Sequence, residues 1–297
     1  MPVRKLLPGQ GCQIWTVDPT GTDQVRWFET ASYRLESPNW LSSGDALLLN
    51  GEGRLWRLPL SAGAGLKPVE ISQVPQLNND HVLDPDGKHI YLSTYDRQLY
   101  RAPIHGGAAD RVSDPSSSPE GLQHYLHGVH PRGDRLAVVG LITTEDGDRP
   151  AANIYTMSAG GGDYRQLTFG PGHSDGAEYS PDGDWVYFNT ECFDGQAQIA
   201  RVRPDGSDLQ QLTFDNCVNW FPHLSPDGRW AAYLAYPPGT QGHPPDVWVD
   251  LKVVALPDWS AAATVLRVFG GQGTLNTPCW APDSTAFAYV TYSELAP

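Results

Sequence analysis

Nine histidines are spread through the chain, and several stand beside carboxylates or amides in short polar stretches that lead into apolar runs. Those stretches are Asn79-Asp80-His81, His124 with His127, His173-Ser174-Asp175 with Glu178, Asn219 with His223, and Asn276. A second set, Asp96-Arg97, Glu145-Asp146, Glu191 and Gln241-Gly242-His243, follows apolar runs instead. Imidazoles that converge on one opening suit two tasks: holding a divalent metal, or moving a proton near neutral pH. Whether they converge depends on the elements that carry them.

Those elements repeat. Ser225-Pro226-Asp227-Gly228 recurs as Asp84-Pro85-Asp86-Gly87, His130-Pro131-Arg132-Gly133, Ser180-Pro181-Asp182-Gly183 and Ala281-Pro282-Asp283-Ser284, with a worn copy at Leu41-Ser42-Ser43-Gly44. An alternating apolar run follows each, which makes the tetrapeptide a turn between two strands. A second turn, as at Pro204-Asp205-Gly206, Ala159-Gly160-Gly161 and His105-Gly106-Gly107, adds a further hairpin, so each unit has four strands. Units recur roughly every 43–56 residues, the spacing of propeller blades. The expectation is an all-β, six-bladed propeller of four-stranded antiparallel blades over residues 1–297. Its blades are expected at about 37–72, 78–113, 123–168, 173–213 and 219–268, with 276–292 completed by 12–30 from the N-terminus. Ten Trp, thirteen Tyr, 31 Gly and 26 Pro against two Met agree with a turn-rich β protein.

Composition removes several function classes. A net charge of −14 opposes broad attachment to nucleic acid or an anionic membrane, so neither is an expected partner. No apolar run is long enough to span a bilayer, and Met1–Pro8 carries no apolar core of a signal peptide, which makes the cytoplasm the expected location. Cys12, Cys192, Cys217 and Cys279 have no zinc-site spacing and are expected to be separate thiols. GxSxG, HExxH and P-loop motifs are absent, and Gly270-Gly271-Gln272-Gly273 has no following helix to hold phosphate. Trp220 and Phe221 are expected to pack between blades.

The repeat turn joins the first and second strands of a blade at one rim. The starts of the first strands and the loops from second to third strands therefore share the opposite rim. Seven of the nine histidines, all but His89 and His105, are assigned to that opposite rim.

The stretches IYTMSAGGGDYRQLTFG and QIARVRPDGSDLQQLTFD, set between the repeat turns, resemble the WD40-like (PD40) repeats of the TolB propeller superfamily, and the likeness runs from about residue 12 to 292. That superfamily includes partner-binding propellers and oligogalacturonate lyases, whose metal is held by histidines of neighbouring blades, one of them in a His-Pro-His stretch before the turn. Here that stretch is Phe221-Pro222-His223, so His223 matches and Phe221 replaces a ligand. The resemblance implies His173, His223 and His243 as ligands of a divalent metal (Mn, Ca, Mg or Zn), with His81 or His127 moving the proton. From their place on that rim, Arg97, Asp175, Glu178, Glu191, Asn219, Gln241, Gln272 and Asn276 are the expected substrate contacts. On this reading the protein is a metal-dependent lyase acting on a carbohydrate or sugar acid, the metal stabilising a developing anion. The alternative is a non-catalytic propeller that binds a peptide, protein or carbohydrate partner at the same rim.

Overall fold

Every copy of the repeat turn closes in the same way. In Ser225–Gly228 the Gly228 amide donates to Ser225 O at 2.8 Å, Ser225 Oγ donates to Asp227 Oδ1, and Gly228 takes a positive φ of 69°. Proline fixes the second residue, the aspartate holds the following amides, and glycine supplies the left-handed corner that turns one strand into the next. Ser180–Gly183 repeats the arrangement. The worn copies close too, through Gly44 N to Leu41 O and Ser284 N to Ala281 O, with Ser284 at φ 62° where glycine stands elsewhere.

The computed structural model describes residues 3–142, 152–170 and 172–293. Five four-stranded antiparallel sheets follow one another, and each runs outward from an inner strand. Those inner strands are Leu35–Trp40, Leu77–Leu83, Leu122–Val129, Ser174–Tyr179 and Val218–Leu224, belonging to blades 1 to 5. Blade 6 is built from both ends of the chain: Cys12–Val17 pairs with Phe287–Tyr292 over six residues and carries Gln24–Thr30 outside it. Its innermost position is occupied irregularly, with a Trp280–Phe287 bridge and Ala288 N donating to Cys279 O. The N-terminal strands thus close the ring, as the half-repeats at the two ends require.

No single core fills the centre. Six apolar clusters lie one between each pair of successive blades, such as Leu48 with Leu92 between blades 1 and 2, and Ile14 with Leu47 between blades 6 and 1. A blade has two apolar faces, and only a closed ring covers both. The four cysteines are unpaired, and the one described helical turn, Trp259–Ala261, is far too short to cross a membrane.

Candidate functional site

The inner strands are where regular alternation fails. Pairing is interrupted at a common level in five blades: between Glu36 and Asn39, Leu77 and His81, Leu126 and Gly128, Asp175 and Glu178, and Trp220 and His223. A bulge inserts residues that have no partner in the ladder and re-aims their side chains, here around the axis. Side chains of the preceding blade satisfy the backbone groups this frees. Ser93 Oγ accepts from Leu126 N, Asn189 Oδ1 accepts from Phe221 N, and Asn50 Nδ2 donates to Asn78 O. Gly176, at φ 67°, is needed here because a Cβ would stand 2.9 Å from the Phe221 ring.

The bulges bring Asp80, His127 and Asp175 together from three successive blades. His127 Nε2 lies 3.2 Å from Asp175 Oδ1, and Nδ1 lies 3.1 Å from the carbonyl of Asn276, in the blade opposite across the axis. The imidazole also stacks on Phe221, with centroids 5.7 Å apart. Burial alone would discharge this ring, but Asp80 and Asp175 outweigh it and hold the imidazolium pKa up at about 9. Burial lifts Asp80 to about 6, with His127 opposing the rise, whereas His127 pulls Asp175 below the usual carboxylate range against its own burial. The group is a shared-charge cluster with one cation between two acids.

A second charged group centres on Arg34. Arg34 is buried, yet its Nε donates to Glu36 Oε1 at 3.1 Å, its Nη1 reaches both oxygens of Asp246, and its guanidinium covers the Tyr292 ring at 4.0 Å. The other Glu36 oxygen takes Arg4 Nη2 at 2.9 Å, and Asp246 also accepts from Gln10 Nε2. The segment from Arg4 to Gln10 is thereby held against blades 1 and 5.

The other implied site residues divide. His243 packs on Trp220 and Phe221, with centroids 4.2 and 5.2 Å away; it feels the Asp175 charge, and burial lowers it to about 4. His173 is half-buried, with its backbone amide donating to Glu191 Oε2. His223 points between blades: Nδ1 is 2.6 Å from Glu178 Oε2, Nε2 is 3.2 Å from Leu275 O, and Glu178 Oε1 accepts from Leu224 N. Both ring nitrogens of His223 are therefore engaged, and His173, His223 and His243 do not come within ligating distance of one another. His81 is buried and lowered to about 4 by burial. Asn219 donates back to Gln198 and Thr213 of blade 4 and to Asp215 in the connection between the two blades, and Asn276 Oδ1 accepts from Gly273 N. Arg97 and Gln241 are exposed on the rim, and Gln272 is half-buried. Glu145 and Asp146 lie outside the described residues. His130 needs correction: it begins a repeat turn, with Gly133 N donating to His130 O, and so belongs to the opposite rim.

Arg4, Arg34, Glu36 and Asp246 escaped the sequence reading. Arg4 belongs to the N-terminal stretch Met1–Pro8, Arg34 and Glu36 flank the first residue of the blade 1 inner strand, and Asp246 stands just after the loop that carries His243.

On the repeat-turn rim, Asp84, Asp86 and His89 form the one group of metal-ligand spacing among the described residues. A cation already stands there: Arg101 Nε donates to Asp84 Oδ2 at 2.9 Å, and its Nη2 lies 2.7 Å from Asp86 Oδ2 and 2.9 Å from His89 Nδ1. The backbone amide of Lys88 and His89 hold Asp86 down at about 2. The group borders an open cleft of about 710 Å³ between blades 2 and 3, which Arg111 and Arg132 also line.

Ring closure, repeat turns and inner-strand bulges together define a six-bladed propeller of the TolB type. The chain belongs to the TolB-like propeller family. The PD40 family, described as a TolB beta propeller domain, matches residues 128–243. An uncharacterized protein of Agrobacterium fabrum is 37% identical over 261 residues, covering 86% of this chain and 84% of its own. A solved structure from Agrobacterium tumefaciens, assigned to TolB, superposes with a TM-score of 0.87 at 34% identity, covering 97% of this chain and all of the other. An oligogalacturonate lyase in complex with manganese shares the fold at 12% identity and a TM-score of 0.54, covering 90% of this chain and 73% of its own.

Proposed function

We propose that this propeller is a binding module that takes a peptide segment of a protein partner on the rim opposite the repeat turns. The observation that carries the reading is an arc of exposed phenylalanines. Phe169 and Phe214 end the equivalent stretches Leu167-Thr168-Phe169 and Leu212-Thr213-Phe214 of blades 3 and 4, and they are 68% and 77% exposed. Phe193, in the loop between them, is 39% exposed. That loop touches both neighbours: Glu191 donates its amide to His173 O and accepts from His173 N at its carboxylate on one side, and Gln196 donates to the carbonyls of Asp215 and Cys217 on the other. Solvated aromatic rings on one continuous stretch of rim, surrounded by charge, suit a partner's apolar side chains. The net charge of −14 favours a neutral or basic partner. The saturated nitrogens of His223 and the separation of the three candidate ligands weigh against the lyase reading.

Peptides selected by phage display on the intact protein test this. Affinity should fall at least tenfold when Phe169, Phe193 and Phe214 are all replaced by serine, with the melting transition unchanged. Peptides that bind the triple variant equally well would refute the arc. Formation of an ultraviolet-absorbing unsaturated product from oligogalacturonate with manganese would restore the lyase reading.

A further inference from the structure

We propose that the axial mouth of the propeller is a seat for a guanidinium or primary ammonium group, and that Arg4 is its intramolecular occupant. The seat is separate from the phenylalanine arc and rests on different residues.

Position comes first. Arg4 pairs with Glu36 of blade 1, whose other oxygen takes Arg34, and Arg34 in turn reaches Asp246 of blade 5 and covers the Tyr292 ring of blade 6. A group that joins blades 1, 5 and 6 in this way stands at the inner ends of the blades, on the side of the axis where the ring closes. The Arg4 side chain remains 24% exposed while Glu36 beneath it is 7% exposed, so it stands in the opening with its partner on the inner side.

Charge comes second. At neutral pH, Arg4, Arg34 and the His127 imidazolium face the carboxylates of Glu36, Asp246, Asp175 and Asp80, three positive groups against four negative. Without Arg4 the mouth would carry two negative charges in excess, in a partly desolvated place where opposite charge is drawn strongly. A replacement cation therefore has a defined place to go.

The manner of attachment makes Arg4 displaceable. A guanidinium normally grips a carboxylate with two parallel hydrogen bonds. Here Glu36 is divided: Oε1 takes Arg34 Nε, so Arg4 is held to Oε2 through Nη2. On blade 5, Tyr236 Oη and His243 Nδ1 are buried without a hydrogen-bond partner, and His243 packs on Phe221, which itself stacks on His127 at the axis. These idle groups leave polar atoms on the flank of the mouth that Arg4 does not satisfy. An incoming group carried on a longer or differently angled stem can take the Glu36 oxygen and these groups together.

The test is calorimetric titration of agmatine, with butylurea as the uncharged control, into the intact protein, Arg4→Ala and Arg4→Met. Circular dichroism establishes that each variant is folded. Both variants should bind agmatine at least tenfold more tightly than the intact protein and should not bind butylurea, and adding Glu36→Gln should abolish the gain. Equal agmatine affinity in all three proteins, no binding by either folded variant, or equal binding of butylurea would each overturn the proposal. The titration makes no use of the phenylalanine rim, so its failure would leave the peptide reading standing.

Discussion

Two clusters in this propeller are assembled from two aspartates and one histidine, and they behave in opposite ways. Asp80, His127 and Asp175 meet at the axis; Asp84, Asp86 and His89 share one repeat turn and its following strand, only a few residues from Asp80 in sequence. At the turn, backbone amides and Arg101 solvate the acids, and Asp86 falls to about 2. At the axis burial predominates, Asp80 rises to about 6, and the histidine itself becomes the cation, rising to about 9. Ligand type alone therefore does not define a site: the environment decides whether the same three residues store charge or merely fix a turn.

The contrast gives pH dependences of opposite sign. His127 is raised above its ordinary 6.5, so its contribution to stability is complete below about 6.5 and is lost as pH rises through about 9. A shift of that size corresponds to about 3 kcal/mol. Asp80 is also raised, and its ionisation removes stability as pH climbs from about 4 through 6. Asp86 is lowered, so its contribution is present above about 4 and disappears as pH falls through about 2.

The largest expected effect is at the axis. His127→Gln should cost about 3–5 kcal/mol at pH 7, because the buried Asp80 and the part-buried Asp175 lose the cation between them. It should also remove the decline in stability between pH 6.5 and 9, read by urea denaturation across that range. His223→Ala should cost about 2–4 kcal/mol by leaving the Glu178 carboxylate without its partner between blades. Arg101→Gln, at a partly solvated pair, should cost less than about 1 kcal/mol, and even that difference should shrink in high salt. If the Arg101 and His127 variants lost equal stability, the distinction between the clusters would collapse.

The blades were readable in the sequence because one turn chemistry, Ser-Pro-Asp-Gly, is spent in the same way each time, and the half-repeats at the ends announced the closing strands. Parts of the axial cluster were readable too: Asp175 and His127 stood among the candidates. So did Asn276, and Asp80 stood in one of the polar stretches; the rest was not readable, for physical reasons. Bulges at Ser37, Asp80, His127, Gly176 and Phe221 break the alternation from which side-chain direction is inferred, so His223 looked as axial as His127 although it turns between blades. Arg34 and Asp246 meet across 212 residues, and no local pattern records such a pairing.

The most direct test of the shared-charge cluster is a nitrogen-15 NMR titration of the His127 side chain from about pH 5 to 10. The account expects both ring nitrogens to remain protonated through neutrality, with a midpoint near 9. A ring already neutral at pH 7, with its midpoint at or below the ordinary 6.5, would contradict it.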